Sequence, residues 1–192
     1  MAIAWGDESV RKTNMPAPMY LMGACICDID ERIIRSQLEP IKPRNAPKLH
    51  WRDMRSAARN KAISTIDQLK LRHVIVAAVP LDDWSTSERA RRKCLEILLP
   101  LLEQEYQINR FVLEQRDKAQ NDKDIRFIDA MRSRKFIQSI RVDLLPGASD
   151  ARLWLPDQLL GAYGDAQSGE SNYEAFLTAV RVISISETKP VG

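Results

Sequence analysis

Three short apolar runs constrain the fold more than any other feature of the chain. Residues 2–7, Met19–Cys27 and His73–Val79 are each too short for a buried helix. The second and third carry so few polar side chains that a β-strand covered on both faces is the predicted state. Prolines at 16 and 18 place a turn between the first two runs, and Pro80 closes the third. Between the second and third runs lie Pro40, Pro43 and Pro47. A stretch of helical periodicity from Arg52 to Leu71 follows them, with Ala58, Ile63, Ile66 and Leu69 as its apolar stripe.

After the third strand the pattern changes to alternation. A helix is predicted over Ser87–Tyr106, capped by Ser85, Thr86 or Ser87, with a kink or break at Pro100. Strands over Ile108–Gln115 and Phe136–Leu144 flank a charged helix over Asp122–Arg134. Helices over Leu153–Ala166 and Asn172–Val180 follow, and the tail Ile183–Gly192 is expected to fray or bind a sheet edge. Strands joined without helices form an antiparallel meander, whereas strands separated by helices run parallel through right-handed crossovers. The expected architecture is therefore α/β, with a mixed five-stranded sheet and helices on both faces. One domain spanning 1–192 is the economical division, with 37–71 a helical insertion between the second and third strands.

Composition narrows the function classes. No window approaches 18 uninterrupted apolar residues, which excludes a predicted membrane span, and no glycine-rich phosphate loop suggests a nucleotide triphosphatase. Three cysteines argue against a disulfide scaffold, and no second Cys/His pair completes a zinc site with Cys25 and Cys27. Those cysteines and an N-terminus without signal-peptide character give a cytoplasmic expectation. A net charge of +3 permits a polyanionic partner without demanding one.

The chemistry-bearing residues are acids. The first strand ends in Asp7-Glu8-Ser9. An acid there is either a wet loop residue or a ligand presented at a sheet edge. With the first strand central and parallel to the fourth, Asp7 and Glu114 end neighbouring strands on one edge, and the helix starting near Leu153 brings Asp157 to it. Three carboxylates so placed repel one another, and a divalent cation neutralises them. Hard oxygen donors select magnesium or manganese, and such a cluster fits two-metal phosphodiester hydrolysis. Glu8 and Asp117 are reserve ligands, although period-2 alternation turns Glu8 to the opposite face from Asp7. Glu88, Glu96 and Glu103 are the candidates for a further acid on the crossover helix, Glu88 being equally explained as a cap.

His50, within Lys48-Leu-His-Trp-Arg-Asp53, is placed to shuttle a proton or contact phosphate, or simply to pack on Trp51. His73, at the start of an apolar strand, is expected to be structural. Lys48, Arg52, Arg89, Arg92 and Arg134 are candidates for tracking a phosphate backbone. The acids interspersed among them suit solvated helix faces equally well. Trp84 and Trp154 are expected as core lids, and Gly161 as a point of close packing between helix and sheet.

Asp7-Glu8-Ser9 after an apolar strand, the late Leu153-Trp-Leu-Pro-Asp-Gln-Leu-Leu-Gly-Ala162 and the order of elements between them resemble the domain-of-unknown-function 3800 family. That resemblance covers nearly the whole chain and implies a ribonuclease-H-like fold. It places Asp7 and Glu8 in the family's first acidic motif, Lys48–Asp53 in its histidine-containing insertion motif and Asp157 in its last motif. Val10 stands where the family has glycine, so the turn there is expected to differ. Pro156 stands where it has alanine, which suits the first turn of a helix.

The resulting expectation is a magnesium- or manganese-dependent nuclease acting on RNA or DNA, with Asp7, Glu114, Asp157 and His50 as its catalytic set. The alternative is a non-catalytic nucleic-acid-binding or protein-interaction module on the same fold, within a larger assembly. Self-association and a partner protein are both left open by the sequence.

Overall fold

The computed structural model describes residues 2–81, 86–170 and 172–186. Strands β1 (Ile3–Arg11), β2 (Met19–Cys27) and β3 (Arg72–Ala78) form the expected antiparallel meander. Strand β4 (Arg110–Glu114) joins β1 in parallel and β5 (Arg141–Leu145) joins β4 in parallel. A sixth strand, β6 (Val180–Ile185), lies parallel to β3, so the order is β5-β4-β1-β2-β3-β6.

The sheet therefore has six strands, not five. The sixth occupies part of the stretch expected to be a helix and then a tail, and the helix there shrinks to Glu174–Leu177. Its signal was present in the β-branched residues Val180, Val182, Ile183 and Ile185. As an edge strand it exposes Arg181, Val182 and Ser184, which blurs the alternation that marks a half-buried strand.

Helices α1 (Glu31–Leu38), α2 (Ser56–Gln68), α5 (Trp154–Gln167) and α6 (Glu174–Leu177) cover one face, and α3 (Ser87–Gln104) and α4 (Lys118–Ser133) cover the other. Two separate cores result, divided by the period-2 alternation of the strands. Trp5, Leu21, Cys25, Ile75 and Val112 pack toward α5, while Ala4, Met22, Ala24, Val76 and Phe111 pack toward α3. The insertion after β2 consists of α1, 3-10 turns at Glu39–Ile41 and Trp51–Asp53, and α2.

Helix α3 continues through Pro100 without a break. Its cap is Thr86, whose hydroxyl accepts the Arg89 N–H at 3.2 Å; Ser85 and Trp84 lie outside the described residues. Helix α4 begins earlier than periodicity suggested because Asp117 caps it, accepting the Gln120 N–H at 2.9 Å. His73 is buried, with Nδ1 3.1 Å from the Cys25 sulfur and its ring edge-on to Phe176 at 5.2 Å. Burial pushes its pKa down to about 4, which suits a neutral packing residue. All three cysteines are free and buried. Among the described residues no helix is long and apolar enough to cross a membrane.

Strand β1 does not end at Asp7. It runs four residues further, paired with β2 as far as Arg11 opposite Met19, while its ladder with β4 stops at Gly6 opposite Leu113. Asp7 thus sits where the parallel ladder opens, one step beyond the last β1–β4 pair, with Glu114 one step beyond on β4.

Candidate active site

Trp5, Asp7, Ser9 and Arg11 of β1 share the face that carries α5, and so do Val112 and Glu114 of β4. Asp7 and Glu114 consequently turn to the same side at adjacent positions. Asp157 is in the first turn of α5, directly after Pro156, and that helix packs on β1 and β2. Acids from three distant points of the sequence, residues 7, 114 and 157, are thereby brought to one opening in the sheet.

Electrostatics records their proximity. Desolvation holds the Asp7 carboxyl well above the usual carboxylate range, and the charges of Asp157 and Glu114 push it further in the same direction. A hydrogen bond from the Glu8 N–H to Asp7 Oδ1 at 2.7 Å and the charge of Lys48 oppose the rise. Lys48 itself donates to Glu114 Oε1. Burial pulls the Lys48 pKa down, but the hydrogen bond to Glu114 and the charges of Glu114, Asp7 and Asp157 together carry it above its ordinary value. The second oxygen of Glu114, Oε2, is buried without a partner. Gly147 lies over this carboxylate so closely that a Cβ there would stand 2.5 Å from it.

Asp157 is held from three directions. His50 Nδ1 lies 2.9 Å from Oδ1, while Oδ2 accepts the Trp51 N–H at 2.6 Å and the Gln158 amide at 2.9 Å. The hydrogen bond to Asp157 raises the His50 pKa, against its desolvation. Nε2 of His50 faces Arg52 at 3.4 Å.

Whether these residues fit a divalent cation follows from the donor set. Among the described residues no group of three or more His, Cys, Asp or Glu side chains is arranged to hold a metal ion. The donors are nevertheless all carboxylate oxygens, one of them a buried orphan, and their mutual repulsion is what a hard cation relieves. Asp7, Glu114 and Asp157 fit magnesium or manganese chemically, and Lys48 is the positive charge the structure places beside them.

Other expected residues go elsewhere. Glu8 turns to the opposite face, as alternation predicts, and bonds Tyr20 and Arg91 there. Burial lifts its carboxyl to about 7, with Arg116 opposing. Asp117 is spent on the α4 cap. Neither is placed to ligate with Asp7. Helix α3 covers that same opposite face, so its acids do not join the cluster; Glu88 pairs with Arg116, and Glu103 accepts the N–H groups of Gln138 and Ile140. Arg89 and Arg92 lie on α3, where Arg92 stacks on Phe127 at 5.7 Å, and Arg134 ends α4. Of the five basic candidates the structure brings only Lys48 and Arg52 to the acids.

Sequence reasoning missed a second layer behind them. Asp165 of α5 accepts from Arg11 at 3.3 Å, Arg59 at 3.0 Å and Trp51 Nε1 at 3.0 Å. Its signal was the spacing Asp157, Gly161, Asp165, which repeats on one helix face. Gly161 meets Trp51 as well as β1: its carbonyl accepts from Arg11 Nη2 at 3.3 Å, and a Cβ there would stand 2.2 Å from the indole ring. Trp51 is buried and cannot yield, so Gly161→Ala is expected to cost about 1–3 kcal/mol by overpacking. An exposed helical Gly→Ala change would instead stabilise by about 1 kcal/mol. The sign of the shift in urea midpoint therefore checks whether α5 is fixed by Trp51.

No family model matches the chain, and no curated protein matches it. Among solved structures it is similar to the RNase HII of Archaeoglobus fulgidus, seen in its complex with PCNA. The two are 14% identical, the match covers 92% of this chain and 78% of that one, and the TM-score is 0.57. At that identity the likeness speaks for architecture alone, and it agrees with the sheet order and the two-sided helical cover: the fold is ribonuclease-H-like.

Proposed function

We propose that the chain is a metal-dependent nuclease that hydrolyses phosphodiester bonds in RNA or DNA, as its resemblance to the domain-of-unknown-function 3800 family also implies. The observation that carries this reading is the convergence of Asp7, Glu114 and Asp157 at the opening between β1 and β4. The fold neighbour is by name a ribonuclease, and its structure is a complex with PCNA, which makes nucleic acid the proposed substrate and a protein partner part of the proposal.

In this reading Asp7, Glu114 and Asp157 hold magnesium or manganese. When bound, the ion supplies Lewis-acid stabilisation of the charge that develops on the phosphoryl oxygens. The chain's own residues do the rest. Lys48 balances the carboxylates and steadies Glu114. Trp51 and Gln158 orient Asp157 through two hydrogen bonds, which leaves its other oxygen to His50. His50, with its pKa raised by the hydrogen bond to Asp157, is the proton-transfer group for the leaving oxygen, its Nε2 lying beside the Arg52 guanidinium.

The second reading, a binding module without turnover, draws on one observation: Lys48 already pairs with Glu114 among the acids. Manganese separates the two. At a hundred times its dissociation constant, a ligand of the native state adds about 2.7 kcal/mol. For a chain of this size that corresponds to a rise in melting temperature of roughly 5–10 °C. The nuclease reading expects that rise in the natural protein and its loss in Asp157→Asn. An inert module would show no rise.

A further inference from the structure

Beside the acids lies a pocket of about 220 Å³ whose wall has the opposite charge. Arg11, Arg52 and Arg59 line it together with Ser9 and His50, and Asp157 forms the boundary it shares with the carboxylate cluster. We infer that this pocket anchors a second phosphate of the substrate backbone, distinct from the phosphate undergoing hydrolysis. The inference rests on the reading of the site as one that takes nucleic acid, and it names how that substrate is held.

Strand geometry places the two sites in line. Asp7, Ser9 and Arg11 occupy alternate positions on one face of β1, so acid, hydroxyl and guanidinium follow one another along a straight edge about 13 Å long at ~3.3 Å per residue. The side-chain arrangement then fixes the guanidiniums. Asp165 sits behind the pocket and spends Oδ1 on Arg11 and Oδ2 on Arg59 and Trp51. Arg59 is held further by its Nε–H bond to the Trp51 carbonyl at 3.2 Å and by its position over the indole at 5.0 Å. One carboxylate thus orients two cations without neutralising both. Arg52 is exposed at the mouth, with its guanidinium toward His50 Nε2 at 3.4 Å.

Such a wall repels the cation that the neighbouring acids attract. Guanidinium forks match the paired oxygens of a phosphate. A site of negative charge adjoining one of positive charge suits a polyanion whose reacting phosphate is screened by a cation while its neighbour is gripped directly by the protein.

The test measures binding without any metal. A labelled single-stranded oligonucleotide is titrated with the full chain in EDTA, and anisotropy is recorded at several salt concentrations. Arg52→Gln is expected to weaken binding about tenfold and to reduce the steepness of log K against log salt by about 0.7. Lys135→Gln, beyond the end of α4 on the other face, is expected to change neither. Arg59→Lys keeps the charge but loses the fork, and is expected to weaken binding by a similar factor with its melting temperature confirming that it is folded. Unchanged affinity and salt slope in Arg52→Gln would overturn the subsite, as would displacement of the oligonucleotide by polyglutamate at equal charge concentration. Arg52-dependent binding by a protein that cleaves nothing with manganese would sustain the subsite and refute the nuclease reading. Cleavage with binding independent of Arg52 would do the reverse.

Discussion

Asp7→Asn is expected to abolish manganese-dependent cleavage while leaving the protein at least as stable as before. The two effects have one cause. Asp7 is desolvated and repelled by Asp157 and Glu114, so its charge is a cost to the folded state unless a cation is bound. Asparagine has nearly the same shape and removes that repulsion. It also removes a ligand from an ion whose stabilisation of the transition state amounts to several kcal/mol. Each 1.36 kcal/mol lost is tenfold in rate, so a fall of about a thousandfold or more is expected. Rates under single-turnover conditions and thermal melts in EDTA check the two halves separately. An active variant would remove Asp7 from the mechanism. An inactive variant with a collapsed melting temperature would make Asp7 a structural residue instead.

The largest expected effect on stability lies on the opposite face of the sheet. Arg91 is 1% exposed and donates to both oxygens of Asp124, at 2.9 and 2.8 Å, as well as to Glu8. Arg116 completes the network, reaching Asp124 at 3.0 Å and pairing with Glu88. Removing Arg91 leaves Asp124 and Glu8 to share Arg116, an excess of buried negative charge. Arg91→Met is accordingly expected to destabilise by about 3–5 kcal/mol, or roughly 10 °C in melting temperature for a chain of this size. Replacing both partners, as in Arg91→Met with Asp124→Leu, removes the excess charge and is expected to recover most of the loss. A double variant as unstable as the sum of its single changes would show that the network contributes through packing and not through charge compensation.

This network also shows what the sequence could and could not disclose. Alternation along β1 separates Asp7 from Glu8, and element order makes β1 and β4 parallel neighbours; both are local or topological inferences, and the structure has both features. The helical position of Asp157 was legible for the same reason. The partners of these acids were not. Lys48 and His50 arrive on an irregular connection, and nothing in a proline-rich loop states where it will be pinned. The pinning comes from Trp51, which fits against α5 only because residue 161 is glycine. Arg91 lies in a run of basic residues whose outward appearance is that of a solvated face, yet it is buried while Arg92 beside it is exposed. A one-residue step around a helix separates a structural cation from a surface one, and periodicity alone does not say which. Strand β6 was obscured in turn by its place at the sheet edge, where one side of the strand stays in water.

The most direct test of the central claim is to incubate the purified protein with labelled single- and double-stranded RNA and DNA, in manganese and in EDTA. The carboxylate site predicts cleavage of at least one of these substrates in manganese, none in EDTA, and none by Asp157→Asn in either. Products that appear in EDTA, or an Asp157→Asn protein that cuts as well as the natural one, would contradict it.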